Sequence, residues 1–227
     1  MKKYYLQNYK FHPNKIEVIP SWCDPDKIYK LSRNDNKFLI KNNLKNKFII
    51  LYSGNHGRCH DLISILGASL ILKNHNDIKF LFIGAGAQKN RIKKLANELN
   101  LYNCIFLPYQ DKEELIYSLG SANLAIVSMS KGSQNYISPS KLYGHLATAS
   151  PIAIISPANS YLEKLVNSEN FGKWFDNGDS EAIANWILYL RSNPDKAEEF
   201  GLNGLNYFLE NATSKIILKK YKNLFLI

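Results

Sequence analysis

Six short apolar runs, each parted from the next by a stretch of helical periodicity, constrain this chain more than anything else in it. Residues 48–52, 78–83, 104–107, 124–127, 151–155 and 171–175 read as strands rich in Ile, Val, Leu and Phe. Segments of helical period lie between them at 61–73, 88–99, 139–148 and 161–166, and Asp111-Lys112-Glu113-Glu114 has a capping-box pattern opening another. Strands that are apolar on both faces must be covered on both faces. Helices between consecutive strands supply those covers and make the sheet parallel. Right-handed crossovers then predict an α/β fold, a doubly wound parallel sheet over residues 46–178. The ends differ. Residues 1–45 hold one strand-like run (16–19), then prolines, Asn and Lys, and are too polar for a second core; they read as an interdomain-like lead-in. Residues 179–227 read as C-terminal helices, the last with Ile216, Ile217, Tyr221, Leu224 and Phe225 at helical spacing. They pack on this domain or on something outside the chain.

Charge and cysteine usage narrow the class. No apolar run approaches the roughly 20 residues of a membrane-spanning helix, and no apolar stretch of a secretory signal follows the basic start. Three cysteines far apart suit a reducing compartment, so the expectation is a soluble cytoplasmic protein. The net charge is +10, but only four of the 29 basic residues are arginine. Nucleic-acid readers lean on Arg for bidentate contacts, so the excess is read as a solvated lysine surface. Anionic ligands or an anionic membrane are the remaining partners, and nucleic acid is not expected.

In an open parallel sheet, ligands bind beyond the carboxyl ends of the strands near a switch in strand order. Three loops converge there. The first, Ser53-Gly54-Asn55-His56-Gly57-Arg58-Cys59-His60, has two glycines for close backbone approach and Arg58 ahead of a helix. The second is Gly84-Ala85-Gly86. The third, residues 128–138, runs into Ser138-Pro139-Ser140-Lys141. Ser138 suits an N-cap and Pro139 the first helical position, which puts Lys141 in the first turn. A cation there is disfavoured by about 0.3–1 kcal/mol unless an anion bridges it to the free amides. Two cations beside two helix starts predict a phosphate or pyrophosphate between Arg58 and Lys141. The alternative is ordinary capping with a solvent-facing lysine.

Other chemistries lack their residues. Gly84-Ala85-Gly86 misses the third glycine and the later acid of a dinucleotide fingerprint, and there is no P-loop. His56, Cys59 and His60 fit no zinc spacing, and no nucleophile elbow occurs. Tyr109, after the third strand, is placed to meet a base.

Taken in order, these pieces resemble the C-terminal, donor-binding half of a GT-B-fold glycosyltransferase of the family 4 type, close to polysaccharide and O-antigen biosynthesis members. The resemblance runs from about residue 14 to the end. It is carried by Asn14 to Asp24, Leu51 to Arg58, Phe82 to Gly86, Ile105 to Tyr109, Pro139 to Gly144 with Ser150-Pro151-Ile152, and Gly178 to Ile183. It implies a Rossmann-like domain binding a nucleoside-diphosphate sugar through Gly54, Gly57, Arg58, Gly84, Gly86, Tyr109, Ser140 and Lys141. It also implies retaining transfer to a glycan or lipid-linked acceptor, with no cofactor and no metal, in keeping with the lack of a D-x-D motif.

The chain departs from that family pattern twice. Gly144 stands where many members carry a ribose-binding glutamate, and the loop 131–136 has no acid. The N-terminal domain, which in this fold carries acceptor contacts and usually the catalytic base, is implied in trans, so no catalytic residue is assigned. The competing expectation is a non-catalytic interaction subunit that keeps the fold without donor binding.

Overall fold

The computed structural model describes residues 2–226. The six expected strands all form: β1 (Phe48–Ser53), β2 (Ile78–Ile83), β3 (Cys104–Leu107), β4 (Leu124–Ser128), β5 (Ile152–Ile155) and β6 (Gly172–Phe175). Every pairing is parallel, in the order β3-β2-β1-β4-β5-β6. The chain works outward from β1 to β3, then returns to place β4 on the other side of β1. That reversal leaves a crevice above the carboxyl ends of β1 and β4.

Alternation along the central strands divides the core. Ile49, Leu51, Ala125 and Val127 face one layer, and Ile50, Tyr52, Leu124 and Ile126 the other. On the first face lie α2 (Lys37–Lys41), α5 (Leu115–Leu119), α6 (Lys141–Ala147), α7 (Tyr161–Glu169) and α9 (Pro194–Asn211), preceded at the N-terminus by α1 (Lys2–Asn8). On the second lie α3 (Ile63–Ile71), α4 (Lys89–Glu98) and α8 (Ser180–Ser192). The last helix, α10 (Ser214–Phe225), buries Ile217 and sets Tyr221 edge-on to Trp22.

The ends depart from expectation. The run 16–19 pairs with nothing, and Val18 is 57% exposed. A β-branched run alone has no partner for its amides, and no strand edge is presented to it. Residues 28–45 belong to the domain rather than leading into it, since Ile28, Phe38, Leu39 and Leu44 are in the main core. Asn36 fixes the segment: it caps α2 by accepting from Leu39 N–H and donates to the Tyr117 carbonyl. Two caps also differ. Asp111 closes its turn through its backbone carbonyl, and α5 begins at Leu115 without a side-chain cap. Ser138 hydrogen-bonds Tyr161, leaving Ser140 at the cap position of α6 in helical conformation with no side-chain bond.

Candidate functional site

The floor of the crevice is built by loops that grip one another. Gly54 takes φ +125° directly after β1, and its N–H donates to the Ile83 carbonyl. Gly84 has φ +134°, and a Cβ there would collide with the Gly54 carbonyl. Gln88 then ties the loops together, donating to the carbonyls of Gly57 (2.6 Å) and His60 (2.9 Å). The first two loops are therefore one rigid layer.

Above that layer is a hollow of about 590 Å³, bounded by Gly54, Asn55, His60, Tyr109, Ser138, Ser140, Lys141 and Gly144, with Lys112 on its edge. Trp22, Ile28, Leu115, Leu119 and Ile137 make its apolar wall. None of the residues around it is acidic. At its base the Lys141 ammonium is enclosed, has no hydrogen-bond partner, and sits 3.7 Å over the centre of the Tyr52 ring. The solvent-facing lysine considered from sequence is thus replaced by a buried one, and burial brings its pKa down to about 7.

Three histidines share this ground. Burial first, then nearby Lys141, holds His56 down to about 4 and His145 to about 3, and lowers His60 as well. His60 donates through Nδ1 to the Ser128 carbonyl at 2.7 Å, which fixes its tautomer because a carbonyl only accepts. All three imidazoles are neutral near pH 7, so the positive charge at the base belongs to Lys141.

Of the residues singled out from sequence, Gly54, Tyr109, Ser140 and Lys141 meet in this hollow. Gly57, Gly84 and Gly86 lie behind it: Gly57 accepts from Gln88, and Gly84 and Gly86 let the second loop lie against Gly54, Asn55 and His56. Arg58 does not join Lys141. It is exposed and lines a separate hollow of about 240 Å³ with Gln88, Ser130, Lys131 and Asn177, and His60 stands between the two. The reason is local. The chain turns after Gly57, Ser130 N–H bonds the Cys59 carbonyl, and α3 starts only at Ile63. Asp61 already caps that helix through Ser64, so the helix start expected to need an outside anion holds its own carboxylate. Lys112, Leu115 and Ile137 were not singled out, and His60 was weighed only as a metal ligand. Their approach to Lys141 depends on loop conformation that no local pattern encodes.

Comparison with known proteins adds to this geometry. Residues 34–207 match the family described as Glycosyl transferases group 1. The chain belongs to that family. It is 25% identical over 175 residues to a probable glycosyltransferase, WbjE, of Pseudomonas aeruginosa, covering 77% of this chain and 44% of that one. It is 31% identical over 153 residues to WcaI, a putative colanic acid biosynthesis glycosyl transferase of Escherichia coli strain K12, covering 66% and 37%. The chain thus spans less than half the length of these curated relatives. Among solved structures, Alr3699/HepE of Anabaena, in complex with UDP and glucose, superposes with TM-score 0.82 at 13% identity, over 99% of this chain and 60% of that one. WaaG, a glycosyltransferase involved in lipopolysaccharide biosynthesis, gives 0.76 at 12%, over 95% and 58%. The fold of this group 1 domain is that of one half of a GT-B glycosyltransferase. No helix among the described residues is long and apolar enough to cross a membrane.

Proposed function

We propose that this domain binds the nucleoside-diphosphate sugar of a glycosyl transfer, with the diphosphate against Lys141 and Ser140 and the base beside Tyr109. One observation carries the reading: the Lys141 ammonium is buried and unpartnered at the base of a hollow with no carboxylate among its residues. Such a charge is costly until an anion meets it. A cation fixed in a dry site stabilises the negative charge that grows on a departing diphosphate, and it needs no reorganisation to do so. The family membership and the UDP complexes of the Anabaena protein support the same ligand.

The reading extends to retaining transfer onto a glycan or lipid-linked acceptor of surface polysaccharide, jointly with an N-terminal acceptor domain. It also extends to peripheral contact with an anionic membrane at the cytoplasmic face. The group 1 relatives support the first part. The second is supported by α10, whose charged residues are Lys215, Lys219, Lys220 and Lys222 beside exposed Leu218 and Phe225. Co-purification with a separately expressed acceptor domain and flotation with anionic vesicles test these parts; absence of both would remove them.

Calorimetric titration with UDP-, GDP- and dTDP-sugars tests the core of the proposal. At least one should bind below millimolar concentration, and Lys141→Met should weaken it at least about tenfold. No binding by any would favour the interaction subunit, a reading supported by Gly144 and by Arg58 lying outside the hollow.

A further inference from the structure

A second hollow lies across Ser138 from the first. It encloses about 750 Å³ between the lead-in at Val18–Pro20 and helices α6, α7 and α9. Its walls are the rings of Tyr143, Tyr161 and Tyr207 with Leu165 and Ile19. The size and the apolar wall with few polar groups are those of a small-molecule site.

Polar groups gather at defined places around it. The Ser138 and Tyr161 hydroxyls are hydrogen-bonded at 3.1 Å and form the partition between the two hollows. The phenol groups of Tyr143 and Tyr207 both lie close enough to Tyr161 to perturb one another. Lys2 of α1 and the exposed Lys164 of α7 are among the residues lining the hollow, and none of those residues carries a carboxylate. Glu169, whose charge reaches Tyr207, accepts from the Ser168 hydroxyl. An apolar interior with cations and hydroxyl donors at its edge is complementary to a molecule with a greasy body and an anionic head.

We propose that the hollow between Val18–Pro20 and α6, α7 and α9 binds a single phosphorylated amphiphile, its chain against the tyrosine rings and its phosphate at Lys164 and Lys2. The Ser138–Tyr161 pair parts this hollow from the first, so the amphiphile is a second ligand, separate from the nucleotide sugar.

Titration of the whole chain with octyl phosphate below its micelle concentration tests the site, with octyl glucoside and inorganic phosphate as comparators. Octyl phosphate should bind at least about tenfold more tightly than either. Lys164→Glu, an exposed change, should weaken it about tenfold, and Leu165→Trp, which fills the hollow, should abolish it. Circular dichroism confirms that each variant is folded. UDP affinity, read in parallel, should be unchanged in both variants; loss of UDP binding in the wild type would overturn the donor reading while leaving the amphiphile site standing. Equal binding of octyl glucoside, unaffected by Lys164→Glu, would overturn the proposal in favour of a neutral sugar. A concentration-dependent dimer in sedimentation, broken by Leu165→Trp, would overturn it in favour of a second copy.

Discussion

The ammonium of Lys141 has water on no side, an aromatic face beneath it and Gly54 beside it, where even a Cβ would stand 3.2 Å from its Cε. Its pKa of about 7 belongs to the unliganded hollow. An anion placed against it favours the ionised form, so binding draws in a proton. UDP affinity should therefore hold steady near and below pH 7 and fall above it, by about tenfold per pH unit until the pKa of the complex is reached. Calorimetry from pH 6.5 to 9 reads this, and Lys141→Met should flatten the profile; identical profiles would mean that the lysine does not face the anion. His145 offers a stability counterpart. It is fully buried with both ring nitrogens unpartnered, and its pKa is about 3. The unfolded chain takes up a proton below about pH 6.5 that the native ring refuses, so this group's contribution is complete above pH 6.5 and lost progressively down to about 3. His145→Leu removes that loss and leaves no polar atom unpaired. Its urea midpoint should exceed the wild-type value by more at pH 5 than near pH 8, the difference being the proton linkage.

Loops and helices, more than single side chains, decide how flat and firm the crevice floor is. Gly84 and Gly132 both have positive φ, but only Gly84 lies under another backbone. Gly132→Ala meets open space and should cost about 1 kcal/mol from backbone conformation alone. Gly84→Ala adds a collision with the Gly54 carbonyl and should cost about 3 kcal/mol or more, and it should weaken UDP binding because the first loop must shift. Equal urea midpoints for the two variants would show that the loops are not held together there. Helix α9 acts similarly from the opposite side. Gly201 lies against the Ala149 carbonyl and Gly204 against Leu146, which seats α9 on the end of α6 and so fixes the helix that carries Lys141.

At the scale of the whole molecule, stability is graded outward from β1 and β4. Every residue of β4 is buried, and β1 is buried from Ile49 to Ser53, whereas α1 has no fully buried side chain among those described and the end of α10 leaves Phe225 81% exposed. Hydrogen exchange should follow that order, slowest in β1 and β4 and fastest in α1 and the last turn of α10. UDP should slow exchange in residues 53–60 and 138–144 and nowhere else to the same degree; uniform slowing would argue against a local site. Much of this architecture was legible beforehand, because strand runs such as Ile78 to Ile83 and the helices between them leave a parallel sheet as the one arrangement that buries both faces. That Gly54, Tyr109, Ser140 and Lys141 would meet around one hollow was legible because strand ends in such a sheet converge. Arg58 misled because its helix start is capped by Asp61 three residues on, and the lead-in misled because its polar composition hides Phe38 and Leu39. Periodicity and residue type, acting over a few neighbours, determined the elements, their order and the sheet edge at which the loops converge. Only the tertiary structure decided which cation enters the hollow: Lys141 and Tyr52 are 89 positions apart, and their meeting depends on loop–loop hydrogen bonds and side-chain direction that exist only once the sheet has closed.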